Sequence, residues 1–224
     1  MIRVLLLDVG NTIAFLDGMA IAEVVREQGI DVDPTRLRSV EGRAKRRYES
    51  LMKEGVSHEE GWGLYLATLL EEAGLSSAHA RAMLEPLRRA HDRLNLWRRV
   101  PSELGPALER VRALGIRIAI VSNSEGRLPE LLEHVGVAHH FEAIIDSHNE
   151  GVRKPDPEIF RRALARMRIR PEDAVYLGDI PGVDVDGANA AGIRAILVDP
   201  FGFYPDFEGE RSVSVAAWIE DTFM

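Results

Sequence analysis

The chain has 224 residues, of which 46% are hydrophobic and 29% are charged, a composition typical of a folded globular protein and unlike that of a disordered chain. It contains no cysteine, which excludes disulfides, thiol nucleophiles and thiolate metal sites. Its net charge of −8 argues against non-specific binding to nucleic acid or to an anionic membrane.

The first predicted element is a short apolar run over residues 2–7, which ends at Asp8. A run of this length is typical of a strand that is buried on both faces of a parallel sheet. It is too short for a membrane span or the core of a signal peptide, and no other segment approaches the roughly 18 apolar residues that a span needs. We therefore expect a cytoplasmic protein.

The next part of the chain, up to Pro101, has helical periodicity and no convincing strand. This pattern predicts an all-helical domain over residues 17–98, inserted after the first strand of a core that is formed by residues 1–16 and 99–224. Such an insertion is placed to cover the carboxyl ends of the strands, where open α/β sheets bind ligands. The expected helices cover residues 20–28, 34–52, 59–73 and 78–94, the last with a kink at Pro86.

The second half alternates short apolar runs with amphipathic segments, which is typical of βαβ units and predicts a doubly wound parallel sheet of the α/β class. One helix is expected over residues 104–114, before Gly115. Another begins at Pro157, because Asp156 is suited to cap it and proline suits the first helical position. The tail from residue 201 has no clear pattern. The further strands are expected at residues 116–121, 143–145, 174–177 and 195–198.

Polar fragments follow four of the predicted strands. A carboxylate at the end of a buried strand, followed by a tight turn, presents its oxygen to a cleft with free backbone N–H groups nearby. Asp8 is therefore placed as a nucleophile would be. The fragments are Asp8-Val9-Gly10-Asn11-Thr12, Val121-Ser122-Asn123, Lys154-Pro155, and Gly178-Asp179 followed by Asp184.

Taken in this order, the fragments resemble the motifs of the haloacid dehalogenase superfamily of phosphohydrolases, and residues 178–192 are especially similar to its acidic motif. The resemblance covers the whole core and implies a Rossmann-like fold with a helical cap domain over residues 17–98. It also implies hydrolysis of a small phosphorylated metabolite. Asp8 would attack phosphorus to give an aspartyl-phosphate, which water then hydrolyses. We expect a monomer or a homodimer.

The resemblance further implies a metal site and a role for each polar residue. Several carboxylates near Asp8 would repel one another without a cation, and a hard, oxygen-rich site favours Mg²⁺. The implied metal ligands are Asp8, the carbonyl of Gly10 and Asp179, with Asp184 acting directly or through a water. The implied catalytic residues are Asp8, Ser122 and Lys154. The substrate phosphate would contact Asn11, Thr12, Ser122, Asn123 and Lys154.

Gly10 departs from the family pattern, because most related phosphatases have a second aspartate here that protonates the leaving oxygen and then activates water. A positioned acid or base contributes about 10² to 10⁴ in rate, so turnover of substrates with poor leaving groups is affected. Two alternatives follow. One is a carbon–phosphorus hydrolase that forms a Schiff base through Lys45 or Lys53; the other is a weakly active or non-catalytic phosphate-binding protein.

Lys45 lies within a basic stretch of the helix predicted at residues 34–52. We expect this stretch to form a charged helix face that is solvated or paired with nearby glutamates. If the face turned inward, its arginines would be suited to an anionic part of the substrate. The arginines are Arg43, Arg46 and Arg47, and the glutamates are Glu41 and Glu49.

Overall fold

The computed structural model describes residues 1–54, 56 and 58–224, and at residues 52, 53, 58 and 59 it describes the backbone alone. The chain divides into two compact units, which we name the core unit and the helical unit. The core unit comprises Met1–Phe15 and Arg98–Met224, and the helical unit is Leu16–Trp97. None of the described helices combines the length and the apolar character that crossing a membrane requires.

The core unit is built on a six-stranded sheet in which all neighbouring strands are parallel. The strands of the described chain are β1 (Val4–Leu7), β2 (Phe15–Leu16), β3 (Trp97–Arg99), β4 (Arg117–Ser122), β5 (Ala143–Asp146), β6 (Ala174–Gly178), β7 (Arg194–Val198) and β8 (Arg211–Ser212). The sheet has the order β5-β4-β1-β6-β7-β8. The chain thus winds outward from β1 in both directions, which confirms the doubly wound α/β fold.

The helices of the helical unit are α1 (Gly18–Glu27), α2 (Pro34–Lys53), α3 (His58–Glu72), α4 (Ser77–Ala82) and α5 (Leu84–Arg93). Those of the core unit are α6 (Leu104–Ala113), α7 (Leu128–His134), α8 (Ser147–Glu150), α9 (Pro157–Met167), α10 (Asp186–Ala190) and α11 (Val215–Phe223). The helices of the second half connect successive parallel strands, as βαβ units require.

Strand β1 is fully buried because both faces of the sheet are covered. Leu5 and Leu7 point into a cluster that includes side chains of α6 and α11. Val4 and Leu6 point into a second cluster with side chains of α9. An apolar residue is therefore needed at every position of this strand, which explains the uninterrupted run in the sequence.

Local signals set the ends of two helices as predicted. Helix α9 begins at Pro157, and the side chain of Asp156 accepts a hydrogen bond from the N–H of Glu158 at 2.9 Å. Helix α6 ends shortly before Gly115, whose φ of +79° is in the left-handed region that favours glycine. The two predictions are confirmed within one or two residues.

The C-terminal tail contributes elements that the sequence pattern did not predict. Strand β8 extends the sheet at its edge, and helix α11 begins at the cap residue Ser214. Trp218 and Ile219 of α11 are buried in the cluster that also covers β1. Two further short strands, β2 and β3, pair with each other where the chain passes between the units.

The helical unit has its own apolar cluster, formed largely by α1, α2 and α3. The helix predicted over residues 78–94 is interrupted within one turn before Pro86, close to the expected kink. It is two helices that meet at Met83, and Pro86 lies in the first turn of α5, where its missing N–H costs no hydrogen bond within that helix.

The basic stretch of α2 divides between buried and exposed positions. Arg43, Arg46 and Arg47 are exposed, whereas Lys45 is 3% exposed and is buried like Glu41 and Glu49. Lys45 is thus not part of a solvated face. The side chain of Lys53 lies outside the described residues.

Candidate active site

Asp8 lies at the carboxyl edge of the sheet, directly after the central strand. Leu7, the last residue of β1, is in register with Ile120 of β4 and with Leu177 of β6. The N–H of Asp8 donates to the carbonyl oxygen of Leu177 at 2.9 Å. The sheet therefore still holds the backbone of Asp8, and its buried carboxyl group lies at the edge where parallel sheets bind ligands.

The turn after Asp8 leaves two buried polar atoms without partners. The N–H groups of residues 12, 13 and 14 all donate to the carbonyl oxygen of Val9. Asn11 has a φ of +54°, which asparagine tolerates better than most residues. Asn11 Oδ1 and Thr12 Oγ1 are buried and have no hydrogen-bond partner. Because buried polar atoms are normally paired, the Thr12 hydroxyl is suited to donate to a bound group.

Lys154 occupies the centre of the site. Its Nζ atom donates to Asp8 Oδ1 at 2.7 Å, to Asp184 Oδ1 at 2.6 Å and to the Tyr176 hydroxyl at 2.8 Å. The lysine side chain is 3% exposed. A positive charge is thus held in a dry position beside the candidate nucleophile, where electrostatic interactions are stronger than in water.

Ser122 and Asn123, at the end of β4, form hydrogen bonds that orient Asp8 and Lys154. The Ser122 hydroxyl donates to Asp8 Oδ1 at 2.7 Å. The Asn123 side chain accepts from the N–H of Lys154 at 2.8 Å and donates to its carbonyl oxygen at 3.0 Å. The amide predicted to contact phosphate is therefore engaged with the backbone of Lys154 in this structure.

The loop after β4 is anchored to the end of the neighbouring strand β5. The Ser124 hydroxyl donates to the buried carboxylate of Asp146, and the Ser124 N–H donates to Ser147 Oγ at 3.0 Å. These contacts fix the chain directly after Ser122 and Asn123. The sequence prediction missed them, because each residue alone is typical of an ordinary turn or helix cap.

Both carboxylate oxygens of Asp184 accept hydrogen bonds. Its Oδ1 accepts from Lys154 and from Tyr176, and its Oδ2 accepts from the backbone N–H groups of Asp179 at 3.1 Å and Ile180 at 2.9 Å. A Cβ at Gly178 would lie 2.5 Å from Asp184 Cγ. Only glycine leaves room for this carboxylate, which gives a physical reason for the Gly-Asp pair in the motif.

Tyr176, in the middle of β6, is a site residue that the sequence prediction missed. Its side chain is fully buried, and its hydroxyl accepts from Lys154 and lies 2.7 Å from Asp184 Oδ1, to which it donates. The sequence feature that could have identified it is a single hydroxyl within an apolar strand that is buried on both faces, since a buried hydroxyl needs a hydrogen-bond partner.

The charged groups shift one another's pKa values. Burial raises the pKa of Asp8, and Asp184 adds to this effect, while Lys154 opposes it. Burial alone would lower the pKa of Lys154, but the Asp184 and Asp8 carboxylates outweigh it and raise that pKa. Burial would likewise raise the pKa of Asp184, yet Lys154 holds it below its usual value. Burial and the two carboxylates raise the pKa of Tyr176 well above its usual value, so its hydroxyl stays neutral.

The donor set fits a hard divalent cation. Asp8, Asp179 and Asp184 are all buried, and each offers one carboxylate oxygen within 4.8 Å of the others. Three carboxylates outnumber the one ammonium of Lys154, and burying excess negative charge without a cation is unfavourable. Oxygen-only ligands of this kind suit Mg²⁺.

Comparison with known proteins shows the family of this chain. The family model of the haloacid dehalogenase-like hydrolases matches residues 2–192. The chain belongs to this family. Among its relatives in the family is the phosphoserine phosphatase of Thermus thermophilus, to which it is 32% identical over 88% of each chain. A glyceraldehyde 3-phosphate phosphatase of Methanopyrus kandleri is 28% identical, over 93% of this chain and 88% of that protein.

Solved structures of haloacid dehalogenase-like proteins share the fold. The HAD-hydrolase YfnB from Bacillus subtilis, in a structure bound to magnesium, has a TM-score of 0.74 and 20% identity. The match covers 99% of this chain and 97% of that chain. This likeness shows the HAD-like α/β fold. The family match and the relatives named as phosphatases indicate a phosphoric monoester hydrolase.

Proposed function

We propose that this chain is a Mg²⁺-dependent phosphatase, which transfers the phosphoryl group of a small phosphorylated metabolite to water through a covalent intermediate on Asp8. The observation that carries the proposal is the hydrogen-bonded group of Asp8, Ser122, Lys154 and Asp184 at the carboxyl edge of the sheet. A buried nucleophile beside a fixed positive charge is the arrangement that phosphoryl transfer needs. The phosphatase relatives support the same reaction class.

The contacts of the site support a division of roles. Ser122 and Lys154 both donate to Oδ1 of Asp8. These two hydrogen bonds fix the orientation of the Asp8 carboxylate. Asp8 would attack phosphorus, and the bond from phosphorus to the leaving oxygen would break. Lys154 would offset the charge on the transferring phosphoryl group. The Thr12 hydroxyl would donate to a phosphoryl oxygen, while Asn123 holds Lys154 in place.

The proposed ligands of the cation are Asp8, the carbonyl of Gly10, Asp179 and Asp184. Both oxygens of Asp184 already accept hydrogen bonds, which supports an indirect role for that residue. Bound Mg²⁺ would neutralise part of the negative charge of the carboxylates and of the phosphoryl group. We also propose that the helical unit serves as the cap domain that the resemblance implies.

Gly10 limits the substrates that this site would turn over well. Residue 10 carries no carboxylate, so a leaving oxygen would have to depart with little protonation or receive its proton from another group. The second step, attack of water on the phosphorylated Asp8, lacks the same base. We therefore expect activated phosphoesters to be cleaved readily in the first step, with slower turnover afterwards.

Release of p-nitrophenol from p-nitrophenyl phosphate tests the proposal, because this leaving group scarcely needs an acid. We expect Mg²⁺-dependent release by the wild-type protein, with a burst in the first turnover followed by a slower steady rate. The Asp8→Asn variant should show neither. Asp186→Asn is the matched control, since it removes an exposed carboxylate two residues beyond Asp184 and should leave the rate unchanged.

Two results would contradict the proposal. Equal hydrolysis by the wild-type protein and Asp8→Asn would exclude Asp8 as the nucleophile. Absence of any product with a panel of activated phosphoesters, from a protein that still binds Mg²⁺ and inorganic phosphate, would indicate a binding protein instead. Rapid steady turnover without a burst would keep the proposal and show that another group supplies the base that Gly10 lacks.

A further inference from the structure

Tyr176 is fully buried beside Lys154 and Asp184 of the candidate site. Its ring packs edge to face against Phe160, with centroids 4.9 Å apart and an interplanar angle of 90°. Its hydroxyl lies within hydrogen-bond distance of three polar atoms: Lys154 Nζ at 2.8 Å, Asp184 Oδ1 at 2.7 Å and the carbonyl oxygen of Val121 at 3.2 Å. Lys154 Nζ also lies 5.5 Å from the centroid of the ring, so the ammonium contacts both parts of the tyrosine side chain.

The hydroxyl completes the hydrogen bonds of Lys154. An ammonium group has three N–H donors, and the three acceptors here are Asp8, Asp184 and Tyr176. Tyr176 is the single neutral acceptor of the three. Its oxygen accepts a hydrogen bond from one N–H of the ammonium and so directs the other two N–H groups at the carboxylates, while its own O–H donates to Asp184. Removing this oxygen would take away the partner that one of the three N–H donors has in this structure.

We propose that Tyr176 is a positioning residue for phosphoryl transfer, which fixes the orientation of the Lys154 ammonium between Asp8 and Asp184; this role rests on the proposed phosphatase function. The hydroxyl acts through Lys154 and not on the phosphoryl group itself. In the transition state the charge on the phosphoryl oxygens is greatest, and a lysine already held in place interacts with it without first reorganising. Loss of the hydroxyl therefore affects the reaction more than the binding of substrate.

Tyr176→Phe removes the hydroxyl and keeps the ring against Phe160. Because Lys154 faces the phosphoryl group both when Asp8 attacks and when water attacks, we expect the burst rate and kcat for p-nitrophenyl phosphate both to fall about ten- to a hundredfold, the loss typical of a hydrogen bond to a charged group, while KM changes less than about threefold. The inhibition constant of orthovanadate, which resembles the transition state, should rise by the same factor as kcat falls. A role confined to folding would lower the melting temperature without separating kcat from KM.

Tyr65→Phe is the matched control, because it removes another buried tyrosine hydroxyl, one that donates to the carboxylate of Glu41 at 3.0 Å in the helical unit. It should change the melting temperature about as much as Tyr176→Phe does, and it should leave kcat and the inhibition constant of orthovanadate unaltered. The Lys154→Arg background tests the route of action. There the ammonium that Tyr176 orients is absent, so adding Tyr176→Phe should lower kcat by less than about threefold.

The outcomes separate this inference from the proposed function. If the wild-type protein hydrolyses no phosphoester, the proposed function fails and the role of Tyr176 fails with it. If the wild-type protein is active and Tyr176→Phe retains its kcat and vanadate inhibition, the positioning role alone is overturned. An equal loss in the wild-type and Lys154→Arg backgrounds, or an equal loss in Tyr65→Phe, would also overturn it.

Discussion

Single atoms decide the geometry of the candidate site. Gly178 is one case, because the space that its side chain would occupy is filled by the carboxylate of Asp184. Asp184 in turn accepts hydrogen bonds from Lys154 and Tyr176. Adding one methyl group at position 178 would therefore displace the charged group on which the orientation of the lysine depends.

Gly178→Ala should lower kcat for p-nitrophenyl phosphate by at least about tenfold, since the new Cβ would lie 2.5 Å from Asp184 Cγ and the carboxylate must move. Gly63→Ala is the control, because a Cβ at that position of α3 meets nothing closer than 3.9 Å. It should leave kcat unchanged and stabilise the protein by about 0.5–1 kcal/mol. Activity of Gly178→Ala within twofold of the wild type would refute the steric argument.

His140 gives a pH dependence of stability that is independent of the candidate site. It is 4% exposed, and burial lowers its pKa, as do His139 and Arg112, while Glu109 opposes the shift. The unfolded chain therefore binds a proton at a higher pH, near 6.5, than the native protein does. Stability should fall as the pH drops from about 6.5 to the native pKa, with a slope of at most about 1.4 kcal/mol per pH unit.

Urea unfolding between pH 7.5 and 5 measures this slope. His140→Gln should flatten the profile in that interval, because the titrating group is gone. His134→Gln, which replaces an exposed histidine at the end of α7, should leave the profile as it is. A steeper profile for His140→Gln than for the wild type would contradict the sign of the shift.

At the scale of elements, the ends of helices depend on a few side chains. Helix α9 packs Ile159, Phe160 and Ala163 against the sheet, and its start is fixed by the cap residue Asp156. The segment directly before this cap carries Lys154. The cap therefore stabilises a helix that borders the loop on which the lysine lies.

Asp156→Ala should destabilise the protein by about 1 kcal/mol, the usual cost of losing a helix cap. Asp156→Ser, which retains an acceptor for the N–H of Glu158, should recover most of this loss. Urea unfolding of the three proteins provides the comparison. Equal stabilities for the alanine and serine variants would show that the hydrogen bond at the cap contributes nothing.

Strongly patterned elements could be predicted from the sequence. The central strand is apolar throughout because it is buried on both faces, and α9 carries both a cap and a proline at its start. Strands β2 and β8 have two residues each, which is too short for any periodicity. Helix α11 follows a tail of irregular composition, and it is fixed by packing of Trp218 against distant residues.

The candidate site could be predicted in part, for a similar reason. Asp8, Ser122, Lys154 and Asp184 lie directly after strands or within a motif, so the topology of a parallel sheet brings them to one edge. Tyr176 lies inside a strand, where a sequence pattern records burial but not the partner of a hydroxyl. Its role depends on three side chains that meet only in the folded chain.

The whole molecule consists of two units with separate apolar clusters. The proposed metal ligands all belong to the core unit, and the three carboxylates among them, Asp8, Asp179 and Asp184, are buried and carry like charges. Repulsion among them opposes folding of that unit, and a bound cation would relieve it. The stability of the core unit should therefore depend on the divalent cation, whereas the helical unit contains none of the proposed ligands.

Mg²⁺ at one hundred times its dissociation constant should stabilise the protein by about 2.7 kcal/mol, because it binds the native state and not the unfolded chain. Scanning calorimetry with and without Mg²⁺ measures the shift, and Asp179→Asn should abolish most of it. Asp186→Asn, at an exposed position of α10, should retain the shift. A Mg²⁺ response that survives in Asp179→Asn would place the cation elsewhere.

The position of β1 in the sheet has a consequence for the order of events during synthesis. β1 is made well before its neighbours β4 and β6, which pair with it through contacts such as Val4 with Arg117 and Val4 with Ala174. The helical unit, Leu16–Trp97, draws all of its apolar cluster from residues made in between. We expect the helical unit to fold on the ribosome before β4 and β6 are available to pair with β1. The core unit should complete its packing only after α11 has been synthesised.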